Sequence, residues 1–201
     1  MVAGDASFDA VILAGGRGRR LGGADKPGLL VGERSLLARV VAAVGGAGRV
    51  VVAGPPRHGL PGVRFVREDP PGSGPVPALR AALPAVTGQW VALLAADLPY
   101  LTSAHVSRLR EAGAAAEVDG ALYVDGTGQE QWLAGVWHTP ALRAALAAYD
   151  GRSLRGLLRP LAFTRVTAAP SDGPPPWRDC DTTADLTAAR AWAAGPGSPD
   201  R

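Results

Sequence analysis

A buried strand that leads at once into a glycine-rich, basic segment constrains the fold of this chain most strongly. Residues Asp9 to Ala14 form an apolar run typical of a strand covered on both faces of a parallel sheet. A long loop, Gly15 to Glu33, follows and begins GGRGRRLGGADKP. A glycine-rich turn after such a strand lets backbone N–H groups point at phosphate oxygens. The pattern therefore predicts a phosphate-binding loop in an α/β protein.

Strand and helix patterns alternate along the rest of the chain. Further strands are predicted at residues 49–53, 63–66, 90–95, 120–124, 132–137 and 162–167. Helices are predicted at 35–47, 77–86, from 102 or 103 to about 115, at 139–149, from 153 onwards and at 183–194. Ser35 and Thr139 are the predicted N-caps of two of these helices, with Pro140 in the first helical position. The alternation predicts a doubly wound, mostly parallel sheet with helices on both faces. We expect one domain over residues 1–194 and a disordered tail at 195–201.

Ligands of doubly wound sheets bind beyond the carboxyl ends of the strands. Two chemically distinctive segments follow strands in this chain, the basic loop up to Lys26 and Asp97 after the strand at 90–95. We therefore expect the loop and Asp97 to lie together at one edge of the sheet.

Composition excludes several classes of protein. The chain has 201 residues, of which 47% are hydrophobic, and this is enough to form a core. The single cysteine, Cys180, excludes a disulfide framework and a cysteine-based zinc site. The longest apolar run, Trp90 to Ala96, is too short to span a bilayer, and no secretion signal is visible, so we expect a cytoplasmic protein without membrane contact.

Positive charge is concentrated in the glycine-rich loop. The formal net charge is +3, and the only lysine, Lys26, stands close to Arg17, Arg19 and Arg20. A short cluster suits a small polyanion better than a nucleic acid, whose phosphates recur along a line, so no nucleic-acid partner is expected. This much charge suits a triphosphate, since charge develops on the transferred and leaving phosphoryl groups.

Two better-known phosphate loops do not fit the segment. A dinucleotide fingerprint starting at Gly16 would need glycine where Leu21 stands, and the second strand ends in Ala53 without an acid to bind a ribose. The Walker sequence G-K-[ST] is absent. A redox dinucleotide enzyme and a P-loop ATPase are therefore both disfavoured.

The segment L-A-G-G-R-x-x-R-x-G-G-x-D-K, residues 13–26, resembles the N-terminal motif of nucleotidyltransferases with the Rossmann-like nucleotide-diphospho-sugar-transferase fold. With its D-K-P ending it most resembles the molybdenum cofactor guanylyltransferase family. The resemblance implies Mg²⁺-dependent transfer of GMP from GTP to the phosphate of molybdopterin, with release of pyrophosphate. It implies that Arg20 and Lys26 hold the triphosphate and stabilise the transition state, and that Asp25 orders the loop. The nucleotide-binding residues implied in this segment are Leu13, Ala14, Gly15, Gly16, Arg17 and Lys26.

Three acids outside the loop are candidates for the same site. Asp97, in the sequence A-A-D-L-P-Y, resembles the family's magnesium- and nucleotide-binding aspartate, and a carboxylate at the end of a central strand is well placed for a hard cation. Asp181, in D-C-D-T-T-A-D-L, resembles a segment that supplies a second metal ligand. Asp69 matches an aspartate that the family uses near the guanosine. Turn or helix-cap roles for Asp97 and Asp181, and a loop position for Asp69, are the alternatives.

The chain departs from the family pattern near the base. It contains no asparagine, and Ala53 stands where the family has one after the second strand. The family run G-P-L-x-G ends here in Ala78 instead of glycine. Candidates for contacts to the pterin or to the acceptor phosphate are Gln131, Trp132, Arg152 and Arg155. Core packing is the favoured role for Trp132 and Trp137, and a surface position is favoured for Arg152 and Arg155.

Such a reaction needs no protein nucleophile or general base, because a phosphate monoester with a second pKa of about 6 is already mostly dianionic at pH 7. The scattered residues His58, His105 and His138 therefore need no role. Two alternatives remain. One is an enzyme of the same fold with another base or acceptor, such as CTP with molybdopterin, or a phosphorylated sugar, alcohol or lactate. The other is a non-enzymatic nucleotide-binding or protein-interaction module. GTP and molybdopterin are the expected small-molecule partners, together with transient contacts to proteins that deliver or accept the molybdenum cofactor.

Overall fold

A seven-stranded sheet organises the part of the chain that the computed structural model describes, residues 7–15, 25–169 and 173–195. Across the sheet the strands follow the order β5 (Val63–Val66), β4 (Val50–Ala53), β1 (Phe8–Leu13), β6 (Trp90–Ala95), β8 (Glu130–His138), β7 (Gly120–Val124) and β9 (Phe163–Val166). Strand β8 is antiparallel to both of its neighbours, and the other pairings are parallel. The predicted mostly parallel sheet is confirmed.

Helices cover both faces of this sheet. Ala10 and Ile12 of β1 face a core that includes α1 (Leu36–Ala43) and α3 (Ser103–Ala115). Val11 and Leu13 face the opposite core, formed with α2 (Pro75–Ala82), α4 (Thr139–Ala148) and α5 (Leu154–Leu158). Burial of both faces explains the unbroken apolar run of β1. Among the described residues, no helix is long and apolar enough to cross a membrane.

A third apolar cluster joins the last helix to the end of the glycine-rich segment. Helix α6 (Thr183–Ala194) packs against the hairpin β2 (Leu30–Val31) and β3 (Arg34–Ser35). The cluster contains Val31, Leu36, Tyr100, Cys180 and Leu186. The sequence predicts a loop where this hairpin lies, because strands of two residues are too short to show a periodic pattern. The cluster places α6 beside the hairpin that follows Lys26.

Two predicted details of the helix termini have different outcomes. Ser35 is the N-cap of α1, and its hydroxyl accepts a hydrogen bond from the backbone N–H of Ala38 at 3.1 Å. The prediction for Thr139 is wrong by one residue, because α4 begins at Thr139 itself and His138 is its N-cap. The buried Thr139 hydroxyl has no hydrogen-bond partner among the described residues.

The helix predicted at 77–86 begins two residues earlier, at Pro75, and ends at Ala82. A short 3₁₀ turn, Leu83–Ala85, continues it, since Pro84 lacks the N–H that an α-helix interior requires. The predicted tail lies outside the described residues from position 196 onwards.

Candidate functional site

A cleft of about 1060 Å³ opens at the carboxyl edge of the sheet. Its lining includes Leu13 and Gly15 at the end of β1, Glu68 after β5 and Asp97 after β6. Because β8 runs in the opposite direction, its first residues, 130–134, reach the same edge and line the other side. The expected juxtaposition of the segment after β1 with Asp97 is confirmed for the described residues.

Lys26 lies beside this cleft, where its ammonium group forms ion pairs with the carboxylates of Asp97 and Asp181. The Lys26 side chain is 12% exposed. Burial by itself lowers the pKa of this ammonium, but hydrogen bonds to Asp181 and Asp97 and their negative charges outweigh burial and raise the pKa. Lys26 is therefore a fixed cation that pairs with both carboxylates and offsets one of their two negative charges.

The segment before α6 adds a third acid to this end of the cleft. Asp179 lines the cleft, and burial followed by the charges of Asp181 and Asp97 raises its pKa. Cys180 is fully buried, and burial raises the pKa of its thiol to about 11. A thiol in this state packs as a small apolar group and is a poor nucleophile at neutral pH.

Other residues fill the cap positions that were alternatives for Asp97 and Asp181. The N-cap of α6 is Thr182, whose hydroxyl accepts a hydrogen bond from the Asp185 N–H at 3.1 Å. The N-cap of α3 is Thr102. Asp97 itself lies in the turn after β6, and both aspartates direct carboxylate oxygens at the Lys26 ammonium.

An ion pair between Asp25 and Arg57 holds the residue before Lys26. The Arg57 Nε donates to an Asp25 carboxylate oxygen at 3.0 Å, and this hydrogen bond lowers the pKa of Asp25 despite partial burial. The contact links the end of the glycine-rich segment to the loop after β4. This geometry fits the predicted ordering role of Asp25.

Other candidate nucleotide-binding residues occupy different positions. Leu13 and Gly15 line the cleft, whereas the Ala14 side chain is buried in a sheet core and Asp69 is exposed and does not line it. The predicted residues Gly16, Arg17 and Arg20 lie outside the described residues.

Glu68, the neighbour of Asp69, faces the cleft instead. It is only 7% exposed, and its Oε1 accepts a hydrogen bond from the Gly72 N–H at 2.7 Å. Gly72 has a φ of 80°, in the left-handed region that favours glycine. Sequence analysis assigned no role to Glu68 or Asp179. Sequence analysis did identify a neighbouring acid in each segment, Asp69 beside Glu68 and Asp181 near Asp179. The sequence does not tell which of the neighbouring acids faces the cleft.

The acceptor candidates divide in a similar way. Gln131, Trp132 and Arg155 line the cleft, and Arg152 is exposed outside its lining. The Trp132 ring also packs edge-on against the Phe163 ring, with centroids 5.6 Å apart. Trp137 is fully buried, which confirms its predicted packing role.

Solved structures with the same architecture define the class of fold. Molybdopterin-guanine dinucleotide biosynthesis protein A from Archaeoglobus fulgidus aligns with a TM-score of 0.73 at 17% identity, over 92% of this chain and 98% of that one. A 2-C-methyl-D-erythritol 4-phosphate cytidylyltransferase from Thermus thermophilus aligns with a TM-score of 0.70 at 20% identity, over 94% of this chain and 100% of that one. The predicted nucleotide-diphospho-sugar-transferase fold is confirmed.

Sequence comparison shows the family. The model of the MobA-like NTP transferase domain matches residues 10–166. A molybdenum cofactor guanylyltransferase from Nitrobacter hamburgensis is 33% identical over 92% of this chain and 93% of its own length. One from a Bradyrhizobium species is 32% identical over 92% of both. The chain belongs to the MobA-like molybdenum cofactor guanylyltransferase family and is a nucleotidyltransferase.

Proposed function

We propose that this enzyme transfers GMP from GTP to the phosphate of molybdopterin and releases pyrophosphate. An oxygen of the acceptor phosphate attacks the α-phosphorus of GTP, and a new P–O–P bond forms. The bond between the α-phosphorus and the bridging oxygen breaks, and pyrophosphate leaves with the electron pair. The proposal rests on the relatives named above and on one observation, the Lys26 ammonium held between two carboxylates beside the cleft.

Lys26 has the chemistry that the transferred group requires. Its raised pKa keeps the ammonium charged at neutral pH, so it can bind a phosphate oxygen on which charge develops. In the described structure its partners are Asp97 and Asp181. In this proposal Lys26 exchanges carboxylate oxygens for phosphate oxygens when the triphosphate binds. Arg20, outside the described residues, is proposed to act with it.

The two carboxylates left by this exchange fit a magnesium ion. Asp97 and Asp181 are oxygen donors directed at one cation, and Mg²⁺ binds in proteins through one or two carboxylates, phosphate oxygens and waters. The described residues contain no group of three or more candidate metal ligands, so phosphate oxygens and waters would complete the coordination. When bound, the ion would neutralise charge on the triphosphate and polarise the phosphorus under attack.

Residues on the β8 side are proposed to hold the acceptor. The Trp132 ring offers an apolar surface for a flat pterin, and Arg155 offers a cation for the acceptor phosphate. This side lies across the cleft from Glu68 and Gly15, so donor and acceptor can enter together. The main contribution of the protein to catalysis is to position the two phosphates in line.

Thermal unfolding in the presence of Mg²⁺ and each of GTP, CTP, ATP and UTP tests the choice of donor. A nucleotide present at about 100 times its dissociation constant stabilises the folded protein by roughly 2.7 kcal/mol. We expect a clear rise in melting temperature with Mg·GTP and none with the other three nucleotides. An equal or larger shift with CTP would assign the chain to the alternative, a nucleotidyltransferase of the same fold with another base.

A further inference from the structure

Two of the positions expected to lie near the base, Ala53 and Asp69, do not face the cleft. Ala53 is fully buried in a sheet core, and Asp69 is exposed outside the cleft lining. Selection of a base by this chain therefore needs a polar group elsewhere in the cleft, because discrimination between bases of similar shape depends on hydrogen bonds.

Glu68 is a buried acid that faces the cleft. One carboxylate oxygen accepts the Gly72 N–H, and among the described residues the side chain has no other hydrogen bond and no ion pair. Burial of a carboxylate without a cationic partner is unfavourable unless donors satisfy its oxygens. The remaining hydrogen-bonding capacity of Glu68 is thus available to a ligand.

The surroundings of Glu68 suit a flat ring. Gly15, Gly72 and Gly74 line this part of the cleft together with Pro75 and Ala78. An ideal Cβ placed on Gly15 would lie 3.9 Å from Glu68 Oε1, so glycine at this position keeps a side chain out of the space beside the acid. The small residues leave room for a base between Gly15 and the start of α2.

We propose that Glu68 selects guanine by accepting hydrogen bonds from its N1–H and its exocyclic 2-amino group. Guanine is the only common base with two adjacent donors on one edge, and a carboxylate is a two-oxygen acceptor that matches them. Cytosine and adenine place a ring acceptor beside their amino group, and uracil places carbonyl oxygens beside its N–H. This assignment rests on the proposed function, since it presupposes that the donor nucleotide occupies the cleft.

The variant Glu68→Gln tests the assignment with little change in shape. Its amide oxygen still accepts the Gly72 N–H, and its amide NH₂ then stands where an acceptor is needed. We expect Mg·GTP to bind about 10- to 150-fold more weakly, as for the loss of a hydrogen bond to a charged group. XTP carries a carbonyl in place of the 2-amino group, so the variant should bind XTP more tightly than wild type does.

ITP isolates the contact of the 2-amino group. Wild type should bind ITP, which retains N1–H and lacks this amino group, more weakly than GTP, and Glu68→Gln should lose most of this difference. The matched control Glu111→Gln changes an exposed acid on α3 and should bind each nucleotide as wild type does. Unfolding of each apo variant confirms the fold, and a merely structural role for Glu68 would weaken all nucleotides equally.

Isothermal titration of wild type and both variants with Mg²⁺ complexes of GTP, ITP, XTP and CTP separates the outcomes. If wild type prefers GTP and Glu68→Gln retains the same order of affinities, the role of Glu68 is overturned while the proposed function stands. If wild type prefers CTP, both proposals fail. A loss that is largest for GTP, smaller for ITP and absent for CTP, with a gain for XTP, supports both.

Discussion

The two ends of the cleft satisfy their charged groups in different ways. At one end, the Lys26 ammonium forms ion pairs with the carboxylates of Asp97 and Asp181. At the other end, Glu68 is buried, and within the described part of the chain its one hydrogen bond comes from the Gly72 N–H. In the proposed reaction the first end exchanges internal ion pairs for contacts to phosphate, whereas the second gains hydrogen bonds to the base and keeps the one from Gly72. We therefore expect binding of the phosphates to involve rearrangement and binding of the base to involve little.

The largest expected effect is the loss of activity when Lys26, the cation at the first end of the cleft, is replaced. Lys26→Ala should reduce pyrophosphate release from GTP in the presence of molybdopterin by about 10³-fold, the upper range for loss of one transition-state donor. The matched control Arg64→Ala removes an exposed cation on β5 and should retain full activity. Normal release by Lys26→Ala, measured with a coupled pyrophosphate assay, would contradict the role of Lys26.

The thermal stability of Lys26→Ala should also respond to Mg²⁺. Without the ammonium, Asp97 and Asp181 repel one another, and Mg²⁺ can take the place of the lost cation. We expect about 10 mM Mg²⁺, without nucleotide, to raise the melting temperature of Lys26→Ala by a few degrees, since about 1 kcal/mol corresponds to roughly 2–4 °C in a domain of this size. Wild type should respond less. Equal responses would show that Lys26 does not compete with the metal for these carboxylates.

A smaller effect is expected from the helix cap that positions Asp181. Thr182→Ala removes the hydroxyl that accepts the Asp185 N–H and should lower the free energy of unfolding by about 1 kcal/mol. Ser35→Ala, at the N-cap of α1, should cost a similar amount. Only Thr182→Ala should also weaken Mg·GTP binding, because it loosens the residue next to Asp181. Titration calorimetry measures the affinity of both variants for Mg·GTP. Equal affinities would contradict the positioning role of Thr182.

The smallest effect concerns the dependence of stability on pH at the same helix. A hydrogen bond from the Thr182 hydroxyl lowers the pKa of Asp185 despite slight burial. A folded-state pKa below the unfolded value gives stability that is present above about pH 3.8 and is lost as the pH falls below it. The difference in unfolding free energy between wild type and Asp185→Asn should therefore shrink from pH 6 to pH 3. A constant difference over this range would exclude the linkage.

Local pattern was sufficient to predict most of the fold. The buried runs at β1 and β6 and the cap at Ser35 carry their own signals, and the structure confirms them. The hairpin β2–β3 was missed because its strands have two residues each, so its pairing depends on packing against α6.

Tertiary packing decides what the sequence could not show of the site. The sequence places Lys26 and Asp181 155 positions apart, and the third apolar cluster brings their segments together. Whether Glu68 or Asp69 faces the cleft depends on the path of the chain after β5. The chemistry of two adjacent acids does not predict that path. The motif around Lys26 and Asp97 was visible because its residue types are chemically distinctive.

Direct detection of both products tests the central claim most directly. Purified protein, Mg²⁺, molybdopterin and GTP are incubated, and mass spectrometry and a pyrophosphate assay follow the reaction. The account predicts that molybdopterin gains the mass of a guanylyl group in step with an equal amount of pyrophosphate. Formation of the cytidylyl product from CTP, with none from GTP under the same conditions, would contradict it.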